Sequence, residues 1–201
     1  MEKKLLSKLM LAMLIALSGI AFTACGDDND EPENPETPEE ATWATKYTVS
    51  FELSDDVFKA AEVTAHVVEP DGSRSELTLE SSPNLTMEGK KIPDNAAVLL
   101  TFVPKKDISE TEVYDIQIKG SIRATSYKNG KQFDSQFHAI GGGLTLKGDK
   151  VAQYFTGRGV ALAYGVDENG KVVTVNTDDI DFGLNNIWKW LAEIIAASDG
   201  K

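Results

Sequence analysis

The dipeptide Asn129-Gly130 lies between two long alternating segments, Val113–Ser126 and Lys131–Ile140. A two-residue type I′ turn needs positive φ at both central positions, and Asn followed by Gly accepts this at least cost. The dipeptide therefore predicts a β-hairpin, and arms of this length commit much of the chain to antiparallel sheet. The short loop also predicts the register: Lys128 opposite Lys131, Ser126 opposite Phe133, Ala124 opposite Ser135 and Ile122 opposite Phe137. In that register the apolar residues share one face, which continues through Ile118, Ile116 and Tyr114. Gly120 breaks the row and is expected to mark a bulge.

Other segments carry the same period of two. Tyr47, Val49, Phe51 and Leu53 share a face, and Val63, Ala65 and Val67 alternate within Glu62–Glu69. Pro70-Asp71-Gly72 then supplies turn chemistry, with Leu77 and Leu79 on the return strand. A loop with Pro83 and Pro93 leads to a strand over Ala96–Val103. A second hairpin is expected at Asn169-Gly170, setting Glu168 opposite Lys171, Val166 opposite Val173 and Tyr164 opposite Val175. Near the end the period changes: Leu184, Ile187, Trp188, Leu191, Ile194 and Ile195 form a wide stripe at helical spacing over 184–197. The expected fold is mainly β: an antiparallel two-sheet β-sandwich of about eight or nine strands with a C-terminal amphipathic α-helix.

The N-terminus has a different character. Lys3, Lys4 and Lys8 precede an apolar run from Leu9 to Ile20. That run is shorter than the roughly 20 residues a spanning helix needs, and suits the hydrophobic region of a secretory signal. Cys25, the single cysteine of the chain, follows Phe22-Thr23-Ala24. This arrangement resembles a bacterial lipoprotein signal peptide, with Phe22 standing where that family usually has Leu. The resemblance implies cleavage after residue 24 and lipidation, palmitate included, on Cys25; a plain secreted protein cut near Thr23-Ala24 is the simpler alternative. Several buried acyl chains, at about 0.8 kcal/mol per CH2, hold a protein on a bilayer without a spanning helix.

Residues 26–40 read GDDNDEPENPETPEE, with eight acids, three prolines and no base. Like charges repel and proline stiffens, so residues 25–42 are expected to form an extended tether. Its acidic start, Asp27, Asp28 and Asp30, resembles the export signal of Bacteroidota-type surface lipoproteins. That resemblance implies an outer-membrane protein facing the cell exterior; a solvated spacer without a sorting role is the alternative. The folded part is then a single domain over 43–201.

Charge and composition exclude several classes. The chain holds 20 basic and 32 acidic residues, a net charge of −12. A nucleic-acid binder relying on a basic field is excluded. One Cys excludes an internal disulfide and a Cys-based zinc site, and two His make a His-rich metal site a poor expectation. No cofactor is expected. Residues 41–201 hold 23 acids and 17 bases, so much of the acidity belongs to the tether rather than to a substrate preference.

His66 and His138 each fall opposite the local apolar row and are expected to face solvent. No nearby carboxylate in sequence makes a triad with either, and no catalytic constellation is visible. Asp178-Asp179-Ile180-Asp181 offers oxygen ligands for calcium, but not at the loop spacing that calcium motifs use; capping of the following helix explains it more simply. Gly141-Gly142-Gly143 reads as a flexible connection or bulge rather than a phosphate cradle. Trp188 lies on the helical stripe and is expected in the core. Trp43 and Trp190 are candidates for an aromatic ligand platform, with core packing as the alternative.

The function expected is a non-catalytic module on the outer-membrane surface that binds a glycan or a protein partner. The alternative is a structural subunit of a surface fibre, which the short length and terminal helix disfavour. A hydrolase using a distant carboxylate pair stands third.

Overall fold

The protein is described by a computed structural model covering residues 41–184. Two antiparallel sheets stack into a sandwich. The first has the order β4 (Asn84–Gly89), β1 (Trp43–Leu53), β6 (Val113–Lys128), β7 (Lys131–Lys147). The second has the order β3 (Arg74–Leu79), β2 (Ala61–Val68), β5 (Asp94–Pro104), β8 (Gly159–Val166), β9 (Val172–Thr174). The expected mainly-β sandwich is the observed one, with nine strands among the described residues. The stripe over 184–197, with Trp188 and Trp190, and the segment of Cys25, Asp27, Asp28 and Asp30 lie outside the described residues.

Alternation builds the core. Tyr47, Val49 and Phe51 of β1 and Ile116, Ile122 and Ala124 of β6 face Val63 and Ala65 of β2, Val98 and Leu100 of β5, and Leu162 of β8. Each is nearly water-free, and burial of such a side chain contributes about 1.5–3 kcal/mol. Two short helices close the ends: α1 (Asp55–Ala60) and α2 (Gly148–Phe155). Neither was expected from sequence, because each is too short for a helical period to stand out. In α2, Val151 and Phe155 turn inward, and Phe155 stacks on Phe102 at 5.3 Å. The Pro83–Pro93 stretch, expected to be a loop, contains β4, which pairs with β1 and buries Met87.

The Asn129-Gly130 turn forms as expected, with φ of 51° and 74°. The register holds only for its first pairs. It slips by one between Tyr127 and Ser126, so Ser126 lies opposite Asp134, Ala124 opposite Gln136 and Ile122 opposite His138. Phe133 is the extra residue; its ring packs edge-on against Trp43 at 5.2 Å, a contact unknown to the local pattern. A one-residue slip exchanges the faces of a strand, so Phe137 moves away from the core row and is 54% exposed. Gly120, expected to mark a bulge, pairs regularly with Phe51 and Ile140. A Cβ there would lie 2.8 Å from the Phe51 ring, so its smallness is a packing requirement.

The second turn is also longer than expected. Asp167 N donates to Lys171 O, and Gly170 alone takes positive φ, at 81°. Val166 therefore faces Val172, and Tyr164 faces Thr174. The Asp167 carboxylate accepts from the amides of Asn169 and Lys171 and so favours a three-residue loop over the two-residue one. Gly141–Gly143 is not a connection: β7 runs through it, paired with Lys119, Ile118 and Gln117.

Candidate functional site

The outer face of the first sheet collects the alternate residues that the core does not take. Cross-strand rows run Thr86–Thr48–Arg123–Phe137, Asn84–Ser50–Ser121–Ala139 and Glu88–Lys46–Thr125–Ser135. Ten of these twelve side chains are polar or charged, and no described element covers them. Two shallow depressions lie along β6. One, of about 430 Å³, is lined by Thr48, Arg123, Thr125, Tyr127 and Ser135. The other, of about 210 Å³, is lined by Ser50, Lys119, Ser121 and Ala139.

Arg123 and Phe137 separate the two. The guanidinium carbon sits 5.1 Å from the Phe137 ring centroid, a cation–π contact worth about 0.5–1 kcal/mol at an exposed site. Among the described residues no carboxylate pairs with Arg123. The flanking lysines are partly neutralised instead: Lys46 lies 4.0 Å from Glu88 and Lys119 lies 3.5 Å from Glu52. Thr125 Oγ1 lies 3.0 Å from Ser135 Oγ, which donates to Ala124 O at 3.1 Å. This trough offers a flat apolar ring, a guanidinium held against it and a field of hydroxyls. Such a set can stack on one face of a sugar ring and hydrogen-bond its hydroxyls. It contains no nucleophile–base pair.

Trp43 stands elsewhere. It belongs to the inward parity of β1, at the end of the sandwich, where its half-buried ring meets Phe133 and backs onto Gly170. Lys128 and Lys171 cap this pair at 5.4 and 5.1 Å from the Trp43 and Phe133 rings. Trp43 and the trough are therefore on different surfaces. The sequence missed Phe137 as a surface aromatic because the bulge that turns it outward is a tertiary event.

His66 corrects an expectation: it is 5% exposed. Its Nε2 lies 3.0 Å from Thr101 Oγ1. Nδ1 lies 3.3 Å from Glu76 Oε1, close enough for attraction to a charged ring but misaligned for a hydrogen bond. Glu76 comes from β3 and Thr101 from β5, the two strands that flank β2, so the sheet brings the three groups together. His138 is exposed on β7.

Asn176 caps a 3-10 turn over Thr177–Asp179 by accepting from Asp178 N. Asp181 pairs with Arg74 at 2.8 Å. Among the described residues no group of three His, Cys, Asp or Glu is placed to hold a metal ion, and no helix there is long and apolar enough to cross a membrane.

One carboxylate is half-buried between the sheets. Asp94 accepts from Thr45 Oγ1 and from Tyr47 Oη at 2.7 Å. Burial pushes its carboxyl above the usual carboxylate range, against the pull of the two hydroxyls. Burial and the adjoining Asp94 raise the Tyr47 hydroxyl well above its usual value. The trio pins β5 to β1.

No family model matches the chain, and no curated protein sequence is similar to it.

Proposed function

We propose that the domain is a non-catalytic binding module, carried on a lipid anchor at Cys25 on the outer-membrane surface, and that the trough on the first sheet holds a glycan chain. The single observation behind the glycan reading is Arg123 laid over Phe137, with no described carboxylate to neutralise it, amid rows of hydroxyls. The ring stands on β7 beside the hydroxyl rows of β1 and β6, so a stacking surface and hydrogen-bonding groups share one face. The anchor rests on the Phe22-Thr23-Ala24-Cys25 pattern and the acidic residues behind it.

A glycan panel titrated against the protein tests the first part. A bound glycan should lose about tenfold in affinity in Phe137→Ala and similarly in Arg123→Ala, the usual scale for removing one anchor from an interface. Binding that survives both changes places the site elsewhere. Cell fractionation tests the anchor: Cys25→Ala should leave the membrane fraction, and a variant that stays there refutes lipidation. Replacing Asp27, Asp28 and Asp30 by Ala should leave the lipid in place and cut protease accessibility on intact cells.

The fibre reading has one observation in its favour. β7 is a 17-residue strand at the edge of the first sheet, paired only with β6 among the described residues. Such an edge is a template for strand addition. Polymers formed by the purified protein, together with an empty glycan panel, would favour that reading.

A further inference from the structure

A third depression lies on the opposite side of β7 from the trough, where the two sheets part around α2. Ile140 and Leu144 of β7 form one wall, Val160 of β8 and Tyr154 of α2 the other, and Arg158 stands at the rim. Its volume is about 350 Å³, within the range of about 300–1,000 Å³ typical of small-molecule sites. The space exists because β7 carries Gly142 there. Inward-facing neighbours on the strand, Ile140 and Leu144, bring large apolar side chains, whereas a Cβ built on Gly142 meets nothing within 4 Å.

Arg158 is held in place before any ligand arrives. Its Nε donates to Tyr154 O at 3.2 Å, and its guanidinium carbon lies 3.9 Å from the Tyr154 ring centroid. Those contacts set the plane of the head and leave both terminal nitrogens without a hydrogen bond or ion pair among the described residues. A fixed guanidinium edge presents two parallel donors, the geometry that carboxylates accept in pairs. Beside it lies a hollow lined by apolar side chains and strand backbone, with no charge of its own. The chemistry that satisfies both parts is a carboxylate on a compact apolar body.

We propose that this cavity binds a free small monocarboxylate, its aromatic or branched aliphatic body over Gly142 and its carboxylate on the Arg158 guanidinium. The site is separate from the glycan trough and does not rest on that reading.

Calorimetric titration of the full-length protein in detergent with phenylacetate tests the proposal, with phenylacetamide as its uncharged counterpart. Phenylacetate should bind saturably and the amide at least about tenfold more weakly, the difference of a charge-assisted pair over a neutral one. Arg158→Gln should weaken phenylacetate by a similar factor, and Arg158→Lys by less, because charge remains while the paired donors go. Gly142→Leu should abolish binding by filling the hollow, with the thermal midpoint maintained because the added side chain enters open space. Binding unchanged in Gly142→Leu, equal affinity for acid and amide, or no saturable binding to wild-type protein would each overturn the assignment. Loss of phenylacetate binding with glycan binding intact would show that the two sites are independent.

Discussion

The two outer faces of the sandwich are built by the same alternation and end in different states. On the first sheet the outward residues include Lys46, Thr48, Ser121 and Arg123, and they meet water. On the second sheet the outward residues include Val68, Ala97 and Leu99, and they are buried. The difference comes from the chain after β9. It returns over the second sheet and lays Phe182 onto these residues, with Ile180 and Leu184 beside it. The Arg74–Asp181 pair fastens that return to β3. His66 is buried because it sits on this covered face. An outward position in a strand is thus a statement about parity and not about solvent, since a later segment can roof the face.

The largest effect expected from this contrast is at Leu99. Leu99→Ala should cost about 2–5 kcal/mol in a denaturant melt, as for a core leucine. An outward-facing leucine on an open sheet would cost far less, and that result would dismantle the comparison.

Gly130→Val tests the hairpin that carries the trough. A β-branched residue resists the positive φ of 74° found there, and the substitution should destabilise by about 1 kcal/mol or more. An unchanged thermal midpoint would contradict the type I′ turn.

Asp94 joins the two sheets and gives a pH test. Its folded pKa lies above the unfolded one, so its contribution is fully present below the ordinary carboxylate value, about 4. That contribution is lost as pH rises through the raised folded value. Asp56 has the opposite sign: the hydrogen bonds from Lys59 and the Asp115 amide lower it, so its contribution is lost as pH falls. The stability of Asp94→Asn relative to wild type should therefore rise with pH above about 4. A difference that is flat with pH would mean that Asp94 titrates as a solvent-exposed carboxylate does.

The smallest effects belong to the trough. Phe137→Ala and Thr48→Ala should each change stability by no more than about 0.5 kcal/mol, the usual range for surface positions, even where Phe137→Ala weakens glycan binding. A large loss of stability from Phe137→Ala would show that the ring is buried in solution and would sharpen the contrast the other way.

Much of the fold was legible because the signals are local. The faces of Tyr47–Leu53 and Val63–Val67, the Pro70-Asp71-Gly72 reversal and the Asn129-Gly130 turn follow from period and from φ alone. What escaped was set by distant contacts. β4 has little pattern of its own and exists by pairing with β1. The bulge at Phe133 accompanies its packing on Trp43, and Asp167 chose the longer second turn. The trough was illegible because it combines four strands and depends on that bulge, and the Arg158 cavity because α2 and β7 are joined only in space.

By itself the sequence determined the β class, the places of the main strands and turns, and the parity of side chains in β1, β2 and β6, since backbone dihedrals and alternation are decided within a few residues. Tertiary structure alone decided the strand order, the register beyond the bulge, and which outer face meets water. Those depend on what packs opposite a residue, and neither Phe182 over Leu99 nor Trp43 against Phe133 is written in the neighbourhood of either partner.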